Sequence, residues 1–198
     1  MKTVHYFMSP VSPWTYLGHK RFLAIASANG ARVLLRPIDL GRVFPQSGGL
    51  PLAKRAPQRQ AYRLHELPRW RDHVGVPLNV HPRFFPAPAD DAARLIIAAD
   101  LALGTEAALK LAGAFMSAVW AEDRNIGDAS TRAAIVAEQG LDAAALEARA
   151  DDARTAFDAY TDEAIAAQVF GAPWYVVDGE PFWGQDRLDF VARALERR

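Results

Sequence analysis

The sequence predicts an α/β fold in which a β-α-β unit at the N-terminus and a β-β-α unit at the C-terminus enclose a block of helices. Three observations carry this. Short runs rich in β-branched and aromatic residues stand near the two chain ends. The first two such runs are separated by a segment with apolar residues at helical spacing. Most of the middle is Ala-rich and punctuated by helix start and stop signals.

Thr3 to Phe7, "TVHYF", is short, aromatic and β-branched, and predicts a buried strand. "SPVSP" follows, and then "WTYLGHKRFLAIASANG", where Tyr16, Leu17, Phe22, Leu23 and Ile25 mark a helix that stops at Asn29-Gly30. "ARVLLRPIDL" supplies the second strand through Val33, Leu34 and Leu35, and Pro37 ends regular pairing. A strand, a helix and a strand in close succession predict a parallel βαβ unit.

Residues 42–66 are rich in Gly, Pro, Lys and Arg and predict a long loop entering a helix over Tyr62 to Val74. "VGVPLNVHPRFFPAPAD" is extended and cut by prolines. Asp90 to Leu103 predicts a helix ending at Gly104, and Thr105 is the expected cap of the next, through Trp120. Asp128 or Ser130 opens a short helix stopping at Gly140, Asp142 opens another, and a last one runs from about Asp151 to Gln168. In "PWYVVDGEPFWG", Asp178-Gly179 predicts a type I′ hairpin, and Pro181 puts its second strand at an edge. "GQDRLDFVARALERR" closes the chain as an amphipathic helix with Leu188, Val191 and Leu195 on one face. With the helical block removed, this is the thioredoxin order.

Composition narrows the chemistry. The 198 residues suit one domain, or one with a sizeable insertion. Lys plus Arg and Asp plus Glu are 23 each, which argues against a broad nucleic-acid footprint and leaves room for a local anion pocket. The absence of cysteine excludes disulfides, thiolate metal sites and a redox-active Cys pair on this chain, so any thiol chemistry needs a thiol from outside. His5, His19, His65, His73 and His81 lack zinc-protease spacing, and there is no GxSxG elbow. "MKTVHYF" lacks a signal-peptide core and no segment approaches a charge-free span, so the expectation is a soluble, cytoplasmic protein.

Four features have room for chemistry, each with a plain structural alternative. Ser12, at the strand-to-helix junction, either caps the helix or helps bind an anion at its positive end; Pro13 suits both. The Ala172–Pro173 step is either an ordinary strand start or a cis bond. Asp186 either caps the last helix or accepts from a ligand amine. Lys54, Arg55, Arg59 and Arg63 form either a solvated face or a carboxylate trap.

The combination resembles the 2-hydroxychromene-2-carboxylate isomerases and their relatives the kappa-class glutathione transferases, in the DsbA-like branch of the thioredoxin superfamily. The likeness spans nearly the whole chain. It is carried by "SPWTYLG", "IDLGRVF", "RAPQRQAYRLHELPRWRDHVGVPL", "AVWAEDRNIGD" and "FGAPWYVVDGEPFWGQDRL". It implies a thioredoxin-like domain over residues 1–41 and 169–198, with an inserted α-helical domain over 42–168. It also implies glutathione as cofactor, a small aromatic acid as substrate and a homodimer.

By the same resemblance, Ser12 takes the place of the first cysteine of a CxxC and bonds the glutathione sulfur, with Thr15 in the second place. Pro173 is the cis-proline, the Ala172 backbone pairs with the cysteinyl segment, Gln185 and Asp186 hold the γ-glutamyl end, and Arg59 meets the glycyl carboxylate. Trp14, Trp120 and Trp183, with Phe84 and Phe85, are candidates for the substrate wall. The chain departs from the relatives at "FMSPVSP", where many have "FDxxSP", and at Gln46 and Ser47, where an Asn is expected. Both departures bear on the substrate. A kappa-like transferase and a non-catalytic thioredoxin-fold binding protein are the competing expectations.

Overall fold

The computed structural model describes residues 1–196; the last two residues of the expected C-terminal helix lie outside them. Strands β1 (Thr3–Met8), β2 (Arg32–Pro37), β3 (Trp174–Val177) and β4 (Glu180–Trp183) form one sheet in the order β2-β1-β3-β4. β1 runs parallel to β2, with Val4 opposite Val33, and antiparallel to β3, with Val4 opposite Val177. β4 is the edge strand expected from Pro181, paired antiparallel to β3 with Trp174 opposite Trp183. Asp178 and Gly179 form the two-residue turn with φ of 50° and 85°, the left-handed pair that a type I′ turn requires.

Alternation along β1 divides the interior. Val4, Tyr6 and Met8 enter the main core, and Phe7 enters a smaller one with Ile38, Val43, Val169 and Trp174. Helix α1 (Pro13–Ala28) covers the main face. Its Phe22 ring lies 4.6 Å from Tyr6 and 4.7 Å from Tyr175, centroid to centroid. Burying one such ring is worth about 1.5–3 kcal/mol. The same core continues without a break into the helical block through Ile96, Leu111, Phe115 and Trp120.

Between β2 and β3 lie α2 (Leu40–Ser47), a 3-10 turn (Leu52–Lys54), α3 (Pro57–Val74), α4 (Asp90–Leu103), α5 (Thr105–Trp120), α6 (Ala129–Glu138), α7 (Ala143–Glu147) and α8 (Ala150–Ala166). After β4 come a 3-10 turn (Gln185–Arg187) and α9 (Leu188–Glu196). Three expectations are corrected. Residues 42–66 are largely helical, because Pro57 sits in the first turn of α3, where no N–H is needed, and α3 starts five residues before the expected Tyr62. Thr105 is the first residue of α5 and its cap is Gly104. Asp186 does not cap α9: its carboxylate accepts from Arg187 at 2.6 Å.

Candidate active site

Helix α1 begins with a proline and a hydroxyl. Ser12 is its N-cap, with extended backbone (φ −79°, ψ 121°), and its Oγ accepts from the Thr15 N–H at 3.2 Å. The same Oγ donates to the Ala172 carbonyl oxygen, also at 3.2 Å. The plain cap and the contact with the opposite loop therefore coexist in one side chain, which is only 7% exposed. The Ala172–Pro173 bond is cis, and the Pro173 carbonyl accepts from the Gly184 N–H at 3.0 Å. Two loops some 160 residues apart are thus stitched at the positive end of α1.

Glycine permits two close approaches here. A Cβ at Gly18 would stand 2.6 Å from Gln185 Cβ, so α1 can lie against the 185–187 turn only without a side chain at 18. Gly184 has φ +99°, and a Cβ there would run into the Asp186 carboxylate. Gln185 is 2% exposed, and its carbonyl accepts from Arg21 Nη1 at 3.1 Å.

In front of this junction is a cleft of about 400 Å³ between the C-terminal loops and α3. Trp14, Arg59, Ala172, Trp183, Gln185 and Asp186 all line it. Ser12 and Pro173 do not; Ser12 meets the cleft through Ala172. Trp120 is a correction. It is fully buried, its ring 4.7 Å from that of Phe85, and it offers no wall to a ligand. Phe84 and Phe85 also lie outside the lining. The sequence reading missed Tyr62, Glu66, Trp70 and Arg187, which complete the cleft, and left Arg55 and Arg63 unassigned. The signal for three of them was the i, i+4 row Tyr62, Glu66, Trp70 on one face of α3. A second cavity of similar volume, about 400 Å³, lies beside His19, Lys20 and Glu122 and gathers none of the expected site residues.

The cleft is electrostatically uneven. Burial and the nearby Arg55 charge draw the Arg63 guanidinium down to about 10; burial and the Arg59 charge lower Arg55 as well. Glu66 is held below the usual carboxylate range, chiefly by its bond with Arg69.

The DSBA-like thioredoxin domain family matches this chain over residues 3–196. The chain belongs to this family. Within the DSBA-like family it is similar to a 2-hydroxychromene-2-carboxylate isomerase from Pseudomonas putida, 29% identical over 98% of this chain and 94% of the relative. Another isomerase of that name, from Sphingobium xenophagum, is 28% identical over 98% of both chains. Among solved structures, a 2-hydroxychromene-2-carboxylate isomerase superposes with a TM-score of 0.78 at 26% identity, covering 98% of this chain and 94% of that one. These relatives are named as isomerases, which supports an enzyme of this family. Among the described residues no helix is long and apolar enough to cross a membrane.

Proposed function

We propose that this protein is a glutathione-dependent isomerase of the 2-hydroxychromene-2-carboxylate type. The observation that carries the reading is Ser12: a hydroxyl at a helix N-terminus, facing the Ala172 carbonyl before a cis-proline, in a chain that has no cysteine of its own. Relatives named as isomerases of this type, similar along nearly the whole chain, supply the reaction class.

The residues present fit glutathione. Asp186, whose Oδ2 accepts from Arg187, offers Oδ1 to an ammonium group; Arg59, with no ion pair among the described residues, offers a cation to a carboxylate; and Ala172 offers a backbone edge that belongs to no strand. When bound, glutathione would supply the nucleophilic sulfur whose reversible addition permits ring opening and cis–trans isomerisation. The chain's own work is to favour thiolate over thiol. Ser12 does this by turning its single O–H from Ala172 toward the sulfur, with the Thr15 N–H still bonded to Oγ and the α1 dipole behind it. Trp14 and Trp183 flank the cleft and orient a flat substrate.

Calorimetric titration with glutathione, followed by ultraviolet monitoring of a 2-hydroxychromene-2-carboxylate, tests the proposal. Saturable glutathione binding and turnover with glutathione regenerated are expected. No binding refutes glutathione dependence. Stoichiometric consumption makes the protein a kappa-like transferase. Binding without turnover leaves a binding protein.

A further inference from the structure

Glutathione carries two carboxylates, and besides Arg187, which is paired with Asp186, the cleft holds three arginines. Arg59 and Arg63 lie four residues apart on α3, hence on one face, and Arg55 precedes the helix; all three line the cleft. Its two acids are already engaged: Glu66 with Arg69 at 2.7 Å and Asp186 with Arg187 at 2.6 Å. Among the described residues no ion pair reaches Arg55, Arg59 or Arg63.

Arg63 differs from the other two. Its guanidinium carbon stands 5.2 Å from the centre of the Phe85 ring and 5.5 Å from that of Trp120. These two rings, expected to meet substrate, instead support the arginine from behind. Its Nη2 is buried and, among the described residues, has no hydrogen-bond partner. A buried guanidinium donor left unpaired is costly, and a planar carboxylate matches its fork. Trp14, Tyr62, Trp70 and Trp183 supply flat surfaces around the same space.

We infer that Arg63, with Arg55 beside it, is the seat for the carboxylate of an aromatic co-substrate, separate from the glycyl carboxylate of glutathione at Arg59. This rests on the proposed function only for the identity of the neighbouring occupant. Arg63 is thus a specificity-determining residue: it selects aromatic acids over neutral aromatics. An incoming carboxylate also offsets the repulsion that Arg55 exerts on Arg63.

The test uses 1-naphthoate and its uncharged counterpart 1-naphthamide as probes, titrated into the full protein and followed through the tryptophan indole N–H resonances. The wild type should bind the acid about tenfold or more tightly than the amide, as expected for a charge-assisted fork. Arg63→Gln should bring that ratio close to one and leave the glutathione dissociation constant within about twofold, since it removes only the co-substrate's carboxylate partner. Arg63→Lys, which keeps the charge and loses the fork, should fall between and settles the matter if the Gln variant does not fold. Equal binding of acid and amide by the wild type overturns the inference, and so does a preference that survives in Arg63→Gln. If glutathione fails to bind while the acid preference stands, the proposed function falls and the carboxylate seat remains.

Discussion

The Ser12 hydroxyl donates its only proton to the Ala172 carbonyl at 3.2 Å while accepting the Thr15 N–H at the same distance. Oγ is therefore satisfied as donor and as acceptor, and it can serve a sulfur only by exchanging Ala172 for it. Ser12 is a structural cap and, in the proposed function, a switchable donor, two roles that respond differently to substitution.

Ser12→Ala should lower isomerase turnover by about 100- to 1,000-fold, the usual effect of removing one donor to a developing anion. Loss of the cap should cost only about 1 kcal/mol of stability. Thiolate absorbance of bound glutathione, followed against pH, should titrate at higher pH in the variant. An unchanged rate would falsify the role given to Ser12.

Thr15, the residue of α1 whose N–H is bonded to Ser12 Oγ, behaves differently. It is fully buried, and among the described residues its Oγ1 has no hydrogen-bond partner. Thr15→Val keeps the shape and removes the unpaired hydroxyl, so urea denaturation should show stability unchanged or raised by up to about 1 kcal/mol. A loss larger than this would mean that the hydroxyl is bonded in solution.

Gly18→Ala places a methyl 2.6 Å from Gln185 Cβ. Overpacking of this kind costs about 1–3 kcal/mol. Because Gln185 belongs to the cleft and is tied to Arg21, glutathione affinity should fall together with thermal stability. A variant that melts later than wild type, as Gly→Ala in an unobstructed helix does, would contradict the close packing.

His19 makes stability depend on pH. The Leu109 carbonyl can only accept, so His19 Nε2–H donates to it at 3.0 Å, and Nδ1 accepts from the Tyr6 hydroxyl at 3.1 Å. Burial is the main reason its pKa drops to about 4. The unfolded chain, near 6.5, binds the proton more readily, so this contribution is fully present above about pH 6.5 and is lost as pH falls toward 4. The slope is at most about 1.4 kcal/mol per pH unit. Denaturation curves at pH 7 and pH 5 should differ more for wild type than for His19→Gln; equal differences would show that His19 does not titrate as described.

Much of the fold was legible because its punctuation is local. Asn29-Gly30 and Gly104 stop helices, Asp142 opens one through its side chain, and Asp178-Gly179 turns the chain, all as expected. The start of α3 was not legible, because "KRAPQRQ" joins proline to a charge run and reads as a loop. That error hid the site's cationic row: with the helix begun at Tyr62, Arg59 and Arg63 are not helical neighbours. Trp14 and Trp120 show the other limit. Both are tryptophans near helix ends, and only the packing of α5 against the sheet side of the core decides that one is open to the cleft and the other sealed.

The pairing of β1 with β3 has a consequence for how the protein is made. Val4 is made 173 residues before its partner Val177. Until then, the inner edge of β1 has no strand to pair with and Ser12 has no Ala172 to bond. No truncated or stalled chain that ends before residue 187 carries the whole cleft. Contacts of such long sequence separation also form slowly. The newborn chain must therefore hold β1 with one edge unpaired until β3 is made, and its demand for chaperones should be greatest just before then.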